Sequence, residues 1–229
     1  VSTWSVQTGG GLTTGAWECV DPNGTIYNST MAAPEDDATG GSQNIKCFVT
    51  ENGEVNGSAG TADVDGGWTS LASPVFTMEG TDGIISYARW FFDSQSTDHL
   101  DTFISNDGGV EWYAVHSTYG TNSEWETTSF VVSEFVQPTD QMQVAFLIED
   151  ADPQSIVEGG IDNLQLEIID CGDSCIGDVN QDGTVNVTDL LSIIDAWGTS
   201  DAGADIDGDG VVAVGDLLTT VGNWGSCEP

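Results

Sequence analysis

Residues 1 to about 170 carry their apolar side chains in short alternating runs, broken by clusters of Gly, Asn, Asp, Ser and Thr. Alternation with a period of two marks strands that bury one face, and no helical period persists through this stretch. Strands are predicted over 84–92, 102–105, 110–116, 130–136, 142–148 and 161–169. In 142–148 one face collects Met142, Val144, Phe146 and Ile148, and in 161–169 one face collects Leu164, Leu166 and Ile168. Asn106-Asp107-Gly108-Gly109 lies between two of these runs and predicts a hairpin turn. Many short strands at close spacing predict a mainly β protein, an antiparallel β-sandwich of the jelly-roll type over 1–170.

The pattern changes after a Cys- and Gly-containing linker at 171–177. Residues 178–229 contain an internal repeat in which Asp178 maps to Asp205, Leu190 to Leu217 and Trp197 to Trp224, all at one offset. Each unit is an acidic loop followed by apolar residues at helical spacing. Leu190, Leu191, Ile194 and Trp197 form the first set; Leu217, Leu218, Val221 and Trp224 form the second. Gly198 and Gly225 are expected to close the two helices as C-caps.

The acidic loops match a calcium-loop template that needs oxygen ligands at positions 1, 3, 5 and 12 and Gly at position 6 for the sharp turn. The first loop supplies Asp178, Asn180, Asp182, Gly183 and Asp189; the second supplies Asp205, Asp207, Asp209, Gly210 and Asp216. Position 7 donates a backbone carbonyl, from Thr184 and from Val211. Position 9 acts through water, which Asn186 is able to do and Ala213 is not. Two matches in register, each leading into a helical pattern, predict two Ca2+ sites. A loop with a helix after it and none before it resembles a dockerin, over about 178–226. That resemblance implies a compact antiparallel helix pair that docks, through its helix faces, onto a cohesin-type β-sandwich. The Ser-Thr pair of cellulosomal dockerins is replaced by Val187-Thr188 and Val214-Gly215, and the basic residues of their contact helix are missing. What remains for docking is an apolar face.

Charge narrows the class of partner. The chain has 38 Asp and Glu against two basic residues, Lys46 and Arg89, for a formal net charge of -36. Such a surface repels nucleic acid and anionic lipid, and it repels itself unless salt screens it or cations bind it. No run approaches the ~20 apolar residues of a membrane span. Five cysteines, Cys19, Cys47, Cys171, Cys175 and Cys227, lack zinc-ligand spacing and read as disulfides of an oxidising compartment. Cys19 is expected to pair with Cys47, leaving one unpaired among the other three. The start at Val1 reads as that of a processed, secreted chain, and the composition suits a marine or halophilic bacterium.

Asp63-Val64-Asp65-Gly66-Gly67, the run 69–74, Ile84-Ser86-Tyr87-Arg89-Trp90 and 155–162 resemble bacterial extracellular concanavalin A-like and MAM-like jelly-roll modules. The resemblance implies adhesion or ligand binding rather than chemistry. Asp63, Asp65, Asp98, Asp101, Glu158 and Asp162 are candidates to gather around a further calcium. The segment 105–112 resembles the Asp-box hairpin of sialidases, here a turn held by Asp107 and packed by Trp112; one box and one arginine exclude a sialidase. His99 and His116 are the only histidines, and no nucleophile or metalloprotease motif accompanies them, so no catalytic residue is assigned. Trp68, Trp90 and Trp112 are expected in the core. The functional expectation is a calcium-binding structural or adhesive protein that assembles head to tail into a filament. The alternatives are a carbohydrate- or surface-binding module tethered to a cohesin-like scaffold, or an accessory fragment of a secreted hydrolase.

Overall fold

The computed structural model describes residues 3–41, 45–55, 57–150, 155–169 and 175–227. It divides into two compact units, Val1–Ile169 and Asp170–Pro229. The first is a mainly β antiparallel sandwich whose strands are β1 (Ser5–Gly9), β2 (Trp17–Val20), β3 (Ile26–Tyr27), β4 (Thr30–Met31), β5 (Cys47–Thr50), β6 (Trp68–Ala72), β7 (Asp82–Asp93), β8 (His99–Ser105), β9 (Tyr113–Tyr119), β10 (Glu126–Val131), β11 (Gln143–Glu149) and β12 (Val157–Ile169). One sheet has the order β1-β6-β11-β8-β9 and the other β10-β7-β12-β5-β2, an arrangement consistent with a jelly roll.

The alternation read from the sequence explains the core. Phe146 lies opposite Leu71 on one side and Thr102 on the other, and Ile148 lies opposite Thr69 and Leu100. These inward positions meet Ile85, Tyr87 and Phe91 of β7, and all are buried. The second sheet is covered on its outer face as well. Trp90 and Phe92, which point away from the core, pack beneath the segment that joins β2 to β5. Trp90 Nε1 donates to the Ala32 carbonyl at 2.5 Å, and the rings of Phe92 and Tyr27 meet at 5.9 Å. Burial on both faces explains why 84–92 reads as a nearly continuous apolar run. It also requires Gly160, where an added Cβ would fall 2.7 Å from the Trp125 ring and 3.1 Å from Trp90.

Several expectations are corrected. The strand predicted from residue 110 starts at Tyr113, because Asp107 accepts the backbone N–H groups of Val110 and Glu111 and holds them in the turn. The run 130–136 leaves the sheet at Val131 and closes into a single 3-10 turn, Val132–Glu134. Cys19 and Cys47 are not bonded. In the β2–β5 pair Cys19 faces Phe48 while Val20 faces Cys47, so strand alternation sends the two thiols to opposite faces. None of the three tryptophans expected in the core lies between the sheets: Trp90 is buried, but on the covered outer face of the second sheet, Trp112 is exposed and lies against Gly109, and Trp68 lies on the outer face of the first sheet.

The second unit contains β13 (Thr184–Val185), α1 (Val187–Asp195), α2 (Val214–Gly222) and β14 (Gly225–Ser226), with β13 and β14 paired. Both helices stop before the predicted glycine caps: the C-cap residues are Ala196 and Asn223. Gly198 follows two residues later at positive φ, and Gly225 pairs with Val185 in the small sheet. Cys175 and Cys227, 52 residues apart, are disulfide-bonded and tie together the ends of this unit. Cys171 lies outside the described residues. The core here is small, with Ile193, Ala204 and Val212 buried and Val179, Ala196, Ile206 and Leu217 packed around them.

Candidate calcium centres and binding surfaces

The twelfth residue of each loop anchors it to its helix. Asp189 and Asp216 are the third residues of α1 and α2, and both are fully buried. Asp189 accepts the backbone N–H of Asn180 at 3.1 Å through Oδ1 and that of Asn186 at 2.8 Å through Oδ2. Asp216 accepts from Ile206 at 2.6 Å and Asp207 at 3.1 Å through Oδ1, and from Ala213 at 2.7 Å through Oδ2. Each carboxylate thus links the loop's ligand-bearing half to its helix N-terminus, where the helix dipole also favours negative charge. Burial raises the Asp189 pKa, but the donors from Asn186 and Asn180 outweigh it and hold the group below its ordinary value. Backbone donors from Ala213 and then Asp207 lower Asp216 in the same way.

The remaining predicted ligands converge within each loop. Asp182 N–H donates to Asp178 Oδ1 at 3.1 Å and to Asn180 Oδ1 at 2.9 Å, and Gly183 N–H donates to Asp178 Oδ2 at 2.8 Å. In the second loop, carboxylate oxygens of Asp205, Asp207 and Asp209 lie within 4.8 Å of one another. Asp205 Oδ2 accepts from Gly210, but its Oδ1 is buried and has no hydrogen-bond partner among the described residues. Three converging carboxylates with an orphaned buried oxygen fit a hard cation of the calcium class. Thr184 and Val211, whose carbonyls are the expected ligands, donate their N–H groups to Asp182 and Asp209. Cys175 and Cys227 also lie near Asp178, but their sulfurs are used by the disulfide.

The residues read as the apolar sides of the two helices are largely outside the core. Val187, Leu191, Ile194 and Trp197 are exposed, and so are their repeat equivalents Val214, Leu218, Val221 and Trp224. Leu191 and Leu218, at 58% and 62% exposure, show how open these faces are. A shallow groove on α1 is lined by Thr188, Leu191, Ser192, Ile194 and Asp195. The same positions of the two helices thus leave matching apolar rows exposed.

Of the six acidic candidates in the sandwich, Asp63 lies near both Asp65 and Glu158, while Asp101 and Asp162 are placed apart from them. Glu158 is buried; Thr25 Oγ1 donates to its Oε1 at 2.9 Å, while Oε2 has no hydrogen-bond partner among the described residues. Burial, with Asp63 and Glu51 nearby, pushes Glu158 well above the ordinary carboxylate range. Asp63 is pushed to about 6, chiefly by burial. Asp65 accepts Thr13 N–H through its carbonyl at 2.9 Å. Asp162 accepts Ala38 N–H at 3.0 Å, beside Asp37 rather than beside Glu158. Asp101 is on the outer face of the other sheet, and Asp98 packs with Asp93 and Asp150, two acids that the sequence reading passed over.

That outer face of the first sheet is open. One row across it runs Gln7, Ser70, Leu147, Asp101, Ser117. Trp68 stands beside this row, its ring over Gly9, where an added Cβ would fall 2.5 Å from the indole. On the far side His99 stacks on Tyr119 at 5.2 Å and bonds Asp101 Oδ2 at 3.0 Å, with Ser117 Oγ donating to the other Asp101 oxygen. His116 faces inward instead. Its Nε2 accepts from Arg89 Nη1 at 3.1 Å and lies 2.8 Å from Tyr87 Oη. Burial first, and Arg89 second, keep His116 below its ordinary pKa. Arg89 also pairs with Glu126 at 3.2 Å.

No family model matches this chain, and no curated protein is similar to it. Solved structures show distant likeness. The enzymatically active domain of a tailspike protein of bacteriophage CBA120 is 12% identical with a TM-score of 0.44, over 73% of this chain and 20% of the tailspike chain. A cleaved adhesin domain of the Lys-gingipain of Porphyromonas gingivalis is 13% identical with a TM-score of 0.41, over 72% of this chain and 98% of the other. The family 11 carbohydrate-binding module of a cellulosomal cellulase of Clostridium thermocellum is 12% identical with a TM-score of 0.41, over 72% and 88% of the two chains.

Proposed function

We propose that this chain is an extracellular attachment protein whose C-terminal unit folds around two Ca2+ ions and docks onto a protein partner through the exposed faces of α1 and α2. The observation that carries the reading is the paired apolar row, Val187-Leu191-Ile194-Trp197 and Val214-Leu218-Val221-Trp224, left open by a unit with a very small core. Asp178, Asn180, Asp182, Asp189 and the Thr184 carbonyl hold one ion; Asp205, Asp207, Asp209, Asp216 and the Val211 carbonyl hold the other. The metal supplies charge compensation and folding free energy, not chemistry, and no catalytic role is assigned. The Cys175–Cys227 disulfide supports an oxidising compartment. The partner is a β-sandwich, either that of a neighbouring copy, which gives a head-to-tail filament, or a separate cohesin-like domain. Light scattering and electron microscopy with calcium and then chelator test this. Long particles that dissolve on chelation, and that Leu191→Glu with Leu218→Glu abolishes, support the filament. A monomer under all conditions points to the separate domain.

A second reading concerns the sandwich. The open face, with Trp68, Tyr119 and His99 beside the polar row of Gln7, Ser70, Asp101 and Ser117, supports carbohydrate or other surface binding, since aromatic faces with nearby hydrogen-bonding groups suit sugar rings. Polysaccharide affinity electrophoresis of the wild type against Trp68→Ala and Tyr119→Ala tests it. Retardation lost in both variants supports the reading, and retardation unchanged in both contradicts it.

A further inference from the structure

The two exposed helix rows lie in a unit that has acidic side chains and no basic ones. Twelve of the 38 acids fall within Asp170–Pro229, and that stretch contains no Lys, Arg or His. Asp195 is exposed at the end of α1 and lines the same groove as Leu191 and Ile194. Asp182 is exposed shortly before the first row, Asp207 and Asp209 shortly before the second, and Asp201 between the two repeats. Two Ca2+ ions, one in each loop, would offset four of the twelve charges, so the unit stays negative when loaded.

A second copy of the chain matches such a surface poorly. Its sandwich carries the other 26 acids against Lys46 and Arg89. Arg89 is engaged by Glu126 and His116, which leaves Lys46, beside the exposed Ile45, as the one exposed Lys or Arg. Contact between two C-terminal units would face acids with acids as well. At physiological ionic strength the Debye length is about 8 Å, so charges framing a contact are only partly screened. Like charges facing each other across an interface oppose binding, whereas opposite charges speed encounter and select the partner.

Building on the docking reading of α1 and α2, we infer that the surface covering them belongs to a different protein and is an apolar patch framed by Lys and Arg side chains. The apolar patch takes up Leu191, Ile194, Leu218 and Val221, all exposed here. The basic frame faces Asp195 and the exposed aspartates of the loops. Burial of the rows supplies the bulk of the attraction, and the charges reject a second acidic copy. Salt separates the two kinds of occupant. It weakens a contact with a basic partner and strengthens one between two copies of an acidic chain.

The test uses the full chain in Ca2+ and two short helical peptides as probes. One has a leucine face and a lysine face; the other has glutamate in place of lysine. Titration calorimetry is expected to show binding of the Leu-Lys peptide, weakened about tenfold between low salt and about 0.5 M NaCl, and none of the Leu-Glu peptide. Leu191→Ser with Leu218→Ser leaves every charge in place and is expected to abolish that binding. Both leucines are exposed and lie outside the small core, so this variant keeps its fold, which its circular dichroism checks. Sedimentation velocity of the chain alone is expected to show a monomer at both salt levels. Particles that grow with salt and that the leucine replacements dissolve overturn the inference in favour of a second copy, and leave the docking reading standing. Leu-Lys binding that survives the leucine replacements is charge attraction without docking and overturns it too, as does equal binding of the two peptides. A chain that binds neither peptide and stays monomeric overturns the inference together with the docking reading.

Discussion

The sandwich and the C-terminal unit bury apolar surface on very different scales. Two five-stranded sheets enclose Tyr87, Phe91, Phe146, Ile148 and their neighbours, and one sheet is covered on its outer face too. The C-terminal unit encloses Ile193, Ala204 and Val212, and leaves its longest apolar rows in solvent. Small units fall below the area needed for independent stability, and natural ones add metals or disulfides. The comparison teaches that the same acidic composition serves two ends. In the sandwich, buried acids weaken the fold unless neutralised, whereas in the loops the proposed calcium would make them the means of folding.

Removing calcium breaks the comparison most sharply. The C-terminal unit is expected to lose its helices completely in chelator, while the near-UV circular dichroism of the sandwich aromatics persists. Phe146→Ala acts on the opposite side. It should lower the stability of the sandwich by about 3–5 kcal/mol and leave calcium binding by the loops unchanged in titration calorimetry. Cys227→Ser opens a closure of 52 residues and should lower the stability of the C-terminal unit by ~4 kcal/mol, seen as a raised calcium requirement for helix formation.

A smaller effect concerns pH. Asp63, pushed to about 6 by burial, binds its proton more tightly in the folded chain than in the unfolded one. Its contribution favours folding below the unfolded carboxylate range and is lost as pH rises through about 6. Glu158 and Asp150, also raised, act in the same direction. The sandwich in chelator should therefore melt higher at pH 5 than at pH 7. Asp63→Asn should reduce that difference by about 2–4 °C for each kcal/mol of linkage removed.

The sequence made local structure legible and long-range grouping much less so. The repeat from Asp178 and Asp205, and the alternation of Met142, Val144, Phe146 and Ile148, depend on spacing alone, and the strand and helix positions follow from it. Leu191 and Ile194 have the spacing of a buried helical side, but spacing does not say whether the covering surface belongs to the same chain. Cys19 and Cys47 were misread because the pairing register of β2 and β5, which sets the face of each thiol, is a tertiary property. Asp93 and Asp150 carried no local signal beyond an acid at a strand end. Ser155 reaches Asp150 within one connection, and the approach of β12 to β7 brings it against Asp93.

The central claim is that calcium folds the C-terminal unit. Far-UV circular dichroism of the chelator-stripped chain, followed through a calcium titration alongside limited proteolysis, tests it most directly. The account predicts that helical signal and protease resistance of 175–227 appear together as calcium is added and vanish on chelation. Helices and protease resistance that are unchanged without calcium would contradict it.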